Sequence, residues 1–472
     1  MPDIQEATFR IESSTRVLGN GMRIVAHEDR TAPLVAVHLM YRVGSRDERP
    51  GRTGLAHLLE HLMFEGSEHA PKGDFDDLLE RVGGTNNGST WLDRTNYYET
   101  VPSHAVELPL WLERDRMAFF LPTLTEETLE VQRGVVINER RQTYENRPYG
   151  LADERLHELL FPGGHPYSWP TIGYTRDLEA TTLDDARTFY STFYTAGNAV
   201  LVFAGDISAE DAFALAERYF GDLPSGPVLP EPAVLELPSV GARETMEDAV
   251  SFPRMYRAWA VPGYGTRDWV ALDVLAYLLA DGESSRLQRA LVREGQLAQD
   301  VDTYLYPTAL CGIFGVVSTA RSGVDVDTVD AAVRHALDAV ARGDVAEDEV
   351  LGAIRRVRRD HVGQLATVEE RADALAYAAT VLGDAEALNR VSALYDEITA
   401  DDVQRVAAHY LDEARGVTLL VLPDEAEEVQ DDNATEEFSE ERQRVWNQWI
   451  CTAWAPGYYR PFVGASYFFQ QG

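Results

Sequence analysis

Two histidines and a glutamate stand in the spacing H-x-x-E-H, as His57, Glu60 and His61. On a helix, residues i and i+4 lie on one face one turn apart, so both imidazoles can reach a single zinc ion. Glu60 lies near the same face, where its carboxylate can take a proton from a water at the metal. Such a site needs a third protein ligand and an open fourth position. The alternative, two core histidines beside a glutamate, would bury an ionisable cluster with no metal to offset the cost.

The elements that must position these residues follow from the hydrophobic pattern. Residues Gly54 to Phe64 are apolar on most sides, which predicts a buried helix. A hairpin around Asn20-Gly21 and a strand from Leu34 to Val43 precede this helix, and a β-like run from Thr90 to Val101 follows it. Further helices are predicted at residues 75–82, 105–120, 126–144, 183–194 and 209–220, and a strand at 199–204. Alternating strands and helices indicate an α/β or α+β protein.

The second half of the chain resembles a copy of the first. Five prolines between Leu223 and Ser239 mark a stiff boundary. Beyond it, Phe64-Glu65-Gly66-Ser67 matches Ala280-Asp281-Gly282-Glu283 at an offset of 216 residues, and Tyr194 matches Tyr410 at the same offset. Similar offsets over such a distance predict an internal duplication.

The two copies differ in chemistry. At the same offset, the histidine and glutamate positions of the first half are occupied by Asp273, Ala276 and Tyr277. The metal chemistry therefore belongs to the first half alone. We expect a catalytic domain at residues 1–222, a linker at 223–239, an inactive homologous domain at 240–424, and an acidic then aromatic tail at 425–472.

Composition excludes several classes of function. The 472 residues include 78 acidic against 42 basic side chains, for a net charge of −36, which disfavours binding to nucleic acid or anionic lipid. No apolar run approaches the length of a membrane helix, about 20 residues, so no membrane span is expected. No secretory signal is evident at the N-terminus, which makes a cytoplasmic location the default. The two cysteines, Cys311 and Cys451, form no metal or redox motif.

Two segments resemble the pitrilysin and insulysin family of inverted-motif zinc peptidases, which includes mitochondrial processing peptidase. They are residues 54–67, around the H-x-x-E-H motif, and Gln132 to Arg141. The resemblance implies an α+β fold of two similar lobes, each a mainly antiparallel sheet covered by helices. It also implies that Glu139 completes the site for one Zn²⁺ per chain. Helical periodicity independently favours an inward Glu139, since Val135 and Val136 precede it by three to four residues.

The resemblance extends to substrate binding, with two departures. Asn87, Gly88, Ser89 and Thr90 resemble the edge strand on which the family aligns a peptide by β-augmentation, although a plain glycine turn before a strand is also possible. The family often has a glutamate seven residues before the third ligand, in a position to orient a ligand histidine; here it is Gln132. Arg293 matches an arginine that binds the substrate backbone, but Gln299 stands where the accompanying tyrosine would be.

The resemblance implies a zinc metalloendopeptidase that cleaves unfolded peptides, or a precursor's leader peptide, inside a closed chamber, with Glu60 as the general base. The incomplete Arg/Tyr pair favours a heterodimer with a zinc-less homologue that carries the pair, with a homodimer as the alternative. The acidic chain suggests basic peptides as substrates. Two other functions remain open: a non-catalytic structural subunit, like the core proteins of respiratory complexes, and a peptide-binding module. His165, as a fourth ligand, would close the site and is expected to be structural.

Overall fold

The structure, a computed structural model, describes residues 10–230 and 235–424, which form two β-sheets enclosed by helices. The strands of the first half are β1 (Ser14–Val17), β2 (Arg23–Glu28), β3 (Leu34–Tyr41), β4 (Thr85–Thr90), β5 (Thr95–Pro102) and β6 (Ala199–Gly205). Its helices are α1 (Leu55–Met63), α2 (Asp74–Arg81), α3 (Glu107–Phe119), α4 (Glu126–Arg140), α5 (Ala152–Leu160), α6 (Thr175–Ala180), α7 (Leu183–Phe193) and α8 (Ala209–Phe220).

The second half has its own sheet and helices. The strands are β7 (Ala242–Asp248), β8 (Arg254–Val261), β9 (Ala298–Tyr306), β10 (Gly312–Ala320) and β11 (Val417–Pro423). The helices are α9 (Arg267–Ala280), α10 (Val326–Ala341), α11 (Glu347–Gly363), α12 (Val368–Val381), α13 (Ala387–Leu394) and α14 (Ala400–Tyr410). One π-helical turn lies in each half, at Arg141–Glu145 and Gln288–Arg293.

The two sheets share one topology. Their strand orders are β1-β2-β6-β3-β5-β4 and β7-β11-β8-β10-β9. In each sheet one pair is parallel, β2 with β6 and β7 with β11, and the other pairs are antiparallel. Without β1, the two orders correspond strand for strand. The predicted α+β fold of two similar, mainly antiparallel lobes is therefore confirmed.

Each sheet is covered on one face by a helix from the other half of the chain. Helix α12 packs on β3 and β6, and its Leu375 and Ala376 share a buried cluster with Met40 and Val202. In return, α5 packs on β8 and β11, where Leu156 lies in one buried cluster with residues of both strands. Because helices cover both of its faces, β6 is buried at every position. The proposed division at residues 223–239 stays a prediction, since packing of this kind ties the two halves together.

Most predicted elements of the first half are found within two or three residues of their expected ends. The hairpin, the strand Leu34–Tyr41 and the helix α8 lie where the sequence indicates. The prediction of one strand from Thr90 to Val101 is wrong at its start. Strand β4 ends at Thr90, and the chain turns through residues 91–94 before β5 begins. The predicted helix 126–144 ends at Arg140 as an α-helix and continues as the π-helical turn. In the described ranges, no helix combines the length and the hydrophobicity that crossing a membrane requires.

Candidate metal centre

Helix α1 carries His57, Glu60 and His61 and is buried along nearly its whole length. It begins after Gly54, whose φ of +84° favours glycine. A Cβ on Gly54 would lie 2.5 Å from the Ile172 carbonyl oxygen, so the backbone approaches too closely for any side chain. The Glu48 carboxylate accepts hydrogen bonds from the N–H groups of Gly54 (2.9 Å) and Ala56 (2.8 Å). It thereby satisfies N–H groups that the first turn of the helix leaves unpaired.

The structure brings His57, His61 and Glu139 together. One ligand atom from each of the three side chains lies within 4.8 Å of the other two. Glu139 Oε2 is 3.3 Å from His61 Nε2 and 3.8 Å from His57 Nε2. Helix α4, which carries Glu139, packs against α1. In the described part of the chain, no other group of three histidine, cysteine or acidic side chains converges in this way.

The charges of the three residues influence one another. Burial, reinforced by the neighbouring His61, lowers the pKa of His57. Burial acts in the same direction on His61, but contact with Glu139 and the charge of Glu60 outweigh it and raise the pKa of His61. Although burial opposes it, contact with His61 and the charge of His57 lower the pKa of Glu139. Glu139 is therefore held as a carboxylate beside two imidazoles.

This donor set fits zinc. Two imidazole nitrogens and one carboxylate oxygen are the ligands of many catalytic zinc sites, which keep a fourth position open. Glu139 Oε2 and His57 Nδ1 are buried, and neither has a hydrogen-bond partner among the described residues. An uncompensated buried carboxylate oxygen is costly, and a cation bound there would remove that cost.

Glu60 lies beside the triad and is held by the edge strand. It is only 3% exposed, and Thr90 Oγ1 donates a hydrogen bond of 2.5 Å to its Oε2. The Thr90 hydroxyl is in turn 3.4 Å from that of Thr95, which donates to the Val43 carbonyl. Strand β4 therefore fixes one carboxylate oxygen of Glu60.

Strand β4 lies at the edge of its sheet and pairs with β5. Gly88 and Thr90 share the face towards α1, where a Cβ on Gly88 would lie 3.1 Å from the Phe64 ring. Ser89 lies on the other face and its hydroxyl donates to Asn96 Oδ1 at 2.6 Å, while Asn87 Oδ1 accepts from the N–H of Gly88 at 2.8 Å. The four residues predicted to align the substrate as a strand thus lie at an edge, and one of them, Thr90, also contacts Glu60.

Other predicted residues lie away from this cluster. Arg293 ends the π-helical turn of the second half and is ion-paired with Glu283 at 2.5 Å, and both side chains are exposed. Gln299 donates to the Ala320 carbonyl. His165 stacks on Phe161 with ring centroids 4.6 Å apart, and burial lowers its pKa to about 4. No hydrogen bond or ion pair between described residues joins Arg293 to the triad.

The predicted inward side of α4 agrees with the exposure of some of its side chains and disagrees with that of others. Gln132 is 8% exposed and donates through Nε2 to Glu65 Oε1 at 2.6 Å. Val136 is fully buried, as the argument for an inward Glu139 requires. Val135 is 42% exposed, and the part of the periodicity argument that relies on Val135 is therefore wrong. The reason is geometric: residues i and i+4 share a helix face only approximately, and Val135 lies on the outer side of the stripe.

Two residues that build the site, Glu48 and Glu65, are not predicted from the sequence, and neither is the contact of Thr90 with Glu60. Glu48 caps α1, Glu65 pairs with Gln132, and Thr90 holds Glu60 rather than only bordering the substrate. The alternation of side chains in a strand could have revealed the last, because Gly88 and Thr90 must share a face. Glu48 gives no such signal, since the loop between it and the helix has no regular period.

The second half holds no comparable site in its described residues. Helix α9, the counterpart of α1, has Asp273 at the position of His57. Asp273 Oδ2 accepts a hydrogen bond of 2.7 Å from the Tyr395 hydroxyl, and both side chains are buried. This arrangement stabilises packing between α9 and the segment that follows α13.

Two protein-family models match the chain. The model described as insulinase (peptidase family M16) matches residues 23–168, and the one described as peptidase M16 inactive domain matches residues 180–357. The first range contains all three converging ligand residues and Glu60.

Individual proteins that are similar to this chain are also named as proteases or peptidase subunits. The zinc protease PqqE of Helicobacter pylori is 28% identical over 412 residues, which cover 86% of this chain and 92% of the relative. The mitochondrial-processing peptidase subunit beta of Caenorhabditis elegans is 27% identical over 288 residues, 60% of each chain. Among solved structures, a protease from Helicobacter pylori superposes with a TM-score of 0.82 at 27% identity, covering 88% of this chain and 100% of that chain. A putative M16-like peptidase from Alicyclobacillus acidocaldarius, at 21% identity and a TM-score of 0.74, shares the fold over 88% of this chain and 99% of its own.

Proposed function

Because the chain belongs to the peptidase M16, or pitrilysin-like, family, we propose that it is a zinc-dependent metalloendopeptidase. The observation that carries the proposal is the convergence of His57, His61 and Glu139 beside the buried carboxylate of Glu60. One Zn²⁺ per chain would be held by these three residues. A fourth protein ligand is not needed, since a catalytic site keeps one position open.

Bound zinc would supply a Lewis acid that polarises the scissile carbonyl and lowers the pKa of water from 15.7 to about 7. The chain's own residues handle the proton. Since Thr90 occupies Oε2 of Glu60, the other oxygen is the one available to take a proton from the attacking water. Glu60 then carries that proton to the leaving amine. Near-complete burial keeps bulk water from competing for the carboxylate.

We further propose that the substrate is an extended peptide that adds a strand to the sheet beside β4. An edge strand offers unpaired N–H and C=O groups, and a substrate bound this way would pair with Asn87, Gly88, Ser89 and Thr90. Since only an unfolded segment can pair in this way, the substrates would be unfolded peptides or a precursor's leader peptide, enclosed in a chamber.

The net charge of −36 supports basic peptides as preferred substrates. Electrostatic capture weakens as salt screens it, with a Debye length of about 10 Å at 0.1 M. We therefore expect kcat/KM for an arginine-rich peptide to fall as salt rises, while kcat/KM for a neutral peptide of equal length stays constant. Equal salt dependence for the two peptides would contradict this preference.

We also propose that the chain acts together with a homologous partner subunit. The second half has Gln299 where the family's tyrosine is expected, and the exposed Arg293 is paired only with Glu283 among the described residues. A zinc-less homologue with a complete Arg/Tyr pair would supply the missing group in a heterodimer, and a second copy of this chain in a homodimer would not. Native mass spectrometry of the complex purified from its source would separate these two and count the zinc ions. A cytoplasmic location stays a prediction.

The substitution Glu60→Gln tests the activity. The three ligands remain, so zinc content should be unchanged, whereas loss of the base should lower kcat by about 10²- to 10⁴-fold. Glu68→Gln, the same change at an exposed glutamate on the same segment, is the matched control. Equal activity of Glu60→Gln and wild type on an unstructured peptide would overturn the mechanism. If wild type and Glu60→Gln both bound zinc but neither cleaved the peptide, a structural-subunit or peptide-binding function would replace the peptidase function.

A further inference from the structure

In the candidate zinc site, the ligand histidine His61 is adjacent to the neutral amide of Gln132 rather than to a carboxylate at that position. A ligand histidine normally donates its second ring N–H to a carboxylate or a carbonyl, which fixes the ring and makes it a better ligand. Position 132, two helical turns before Glu139 on the same side of α4, holds a glutamine instead of an acid. A neutral amide can accept the hydrogen bond but cannot supply the charge.

A carboxylate stands directly behind this amide. Glu65 lies two residues beyond the end of α1, and its side chain is only 11% exposed. Gln132 Nε2 donates to Glu65 Oε1 at 2.6 Å, a short distance that is typical of a charge-assisted hydrogen bond. The pair therefore joins the end of α1 to the helix that carries Glu139.

The chemistry of the two groups fixes the orientation of the amide. An ionised carboxylate can only accept hydrogen bonds, so the NH₂ of Gln132 must face Glu65. Its carbonyl oxygen is then free to accept from a ring N–H of His61, and a hydrogen bond with Gln132 is one of the contacts that raise the pKa of His61. With one ring nitrogen protonated, the other, Nε2, is available on the side of Glu139.

Lys72, the only lysine of the chain, contacts the carboxylate of Glu65 as well. Lys72 Nζ lies 2.7 Å from Glu65 Oε1 and 2.9 Å from its Oε2. Lys72 is largely exposed, so this ion pair adds little stability by itself. It does place a cation beside the carboxylate whose Oε1 also faces the amide of Gln132.

We propose that Glu65 is a positioning residue of the metal site, acting through Gln132 to supply the negative charge that position 132 lacks. The inference rests on the proposed function, since it assumes that His57, His61 and Glu139 bind zinc. Hydrogen bonds in a row polarise one another, so a carboxylate at the far end of the amide strengthens the acceptor that His61 faces. The alternative is a surface ion pair with Lys72 that has no influence on the metal.

Zinc affinity of the metal-free protein tests this without an assay of activity. Zn²⁺ is titrated into the full chain in competition with a chromophoric chelator. Glu65→Gln keeps the size of the side chain and can still accept from Gln132, so it removes charge alone. We expect its zinc affinity to fall about tenfold, at the lower end of the 10- to 100-fold typical of outer-sphere partners. Glu68→Gln, at an exposed position three residues further on, should bind zinc as wild type does.

A swapped variant distinguishes charge from packing. Glu65→Gln combined with Gln132→Glu moves the carboxylate one step closer to His61 and preserves the hydrogen bond between the two positions. We expect it to bind zinc at least as tightly as wild type. Unchanged affinity in Glu65→Gln, or a swapped variant as weak as Glu65→Gln, would overturn the inference while leaving the proposed function intact. A wild-type chain that takes up no zinc would overturn both.

Discussion

The Thr90 hydroxyl gives Glu60 two unlike oxygens. One accepts a hydrogen bond of 2.5 Å from Thr90, and the other is the oxygen that we propose acts as the base. Because Thr90 also belongs to the strand on which we propose that the peptide aligns, the base and the substrate share one support. A displacement of β4 would therefore change the orientation of the Glu60 carboxylate as well as the position of the peptide.

Replacing Thr90 by valine should lower kcat. The change removes only the hydroxyl, and hydrogen bonds to charged groups are worth about 1.5 to 3 kcal/mol. Since the carboxylate would lose its fixed orientation, we expect kcat to fall about tenfold with KM and zinc content little changed. Thr90→Ser restores the hydroxyl and should recover most of the activity. A Thr90→Val enzyme with wild-type kcat would show that the contact has no role in orienting the base.

At this scale the sequence reveals spacing but not orientation. His57, Glu60 and His61 could be grouped because helix geometry alone brings i and i+4 together. Glu139 is 78 residues away from His61, so only the family resemblance could connect it to them. Glu65 and Glu48 act across a tertiary contact and at a helix start, and neither contact leaves a periodic signal.

At the scale of elements, helix α12 brings a buried acid to the sheet behind the edge strand. Asp373 Oδ1 lies 3.3 Å from His38 Nε2 on β3 and accepts from Asn96 Nδ2 on β5, also at 3.3 Å. Burial raises the pKa of Asp373 to about 7, although Arg94 lowers it and Glu369 raises it further. Burial, together with the charge of Arg94, lowers the pKa of His38 to about 3, so His38 is neutral and does not compensate the acid.

Stability should depend on pH through Asp373. Its folded pKa of about 7 lies above the ordinary value of 3.8, so the folded chain holds this proton more tightly than the unfolded chain does. The favourable contribution is complete below pH 3.8 and is lost as pH rises through about 7. Asp373→Asn cannot ionise, so its gain in unfolding free energy over wild type should grow from pH 5 to pH 8, towards about 4 kcal/mol.

Denaturant unfolding at several pH values measures this difference. The matched control is Asp401→Asn, at an exposed position in the first turn of α14, where the difference from wild type should not change with pH. If the difference for Asp373→Asn were constant between pH 5 and pH 8, Asp373 would be ionised at both, and the buried network would be charged throughout.

Strands and helices could largely be predicted, but their partners could not. Periodicity shows that a helix has an apolar face, and this placed α1, α4 and α8 correctly. It cannot show which sheet that face will cover. Helix α5 is not predicted from the sequence, and nothing in the sequence of α12 indicates that it packs on the distant strands β3 and β6 rather than on its own lobe.

At the scale of the whole molecule, the two halves also meet at one buried carboxylate. Asp93, in the turn after β4, is fully buried and accepts from Arg46 (2.6 Å), from the Tyr167 hydroxyl (2.6 Å) and from the N–H of Ala309 in the second half (2.8 Å). The hairpin next to the metal centre is therefore anchored to the other lobe. We therefore expect the halves to fold as one unit rather than as two separable domains.

Dividing the chain should show this dependence. Expressed alone, residues 1–230 lack α12, so the apolar face of β3 and β6 would be exposed, and we expect aggregation. Co-expressed with residues 231–472, the same fragment should be recovered in a soluble complex that binds zinc. A soluble, monodisperse fragment 1–230 that binds zinc alone would contradict the interlocked description.

Because α12 covers the sheet of the first half, the order of synthesis determines when that sheet becomes covered. Between the end of β6 and the end of α12 the ribosome adds roughly 180 residues, which at 5 to 20 residues per second takes about 10 to 35 s. Throughout this interval the first sheet lacks the cover that α12 provides, and until Ala309 has been added the hairpin beside the candidate metal centre also lacks its anchor in the second half. A nascent chain of this length therefore exposes an apolar sheet face that chaperones can bind. We therefore expect the proposed activity to appear only after α12 has been synthesised.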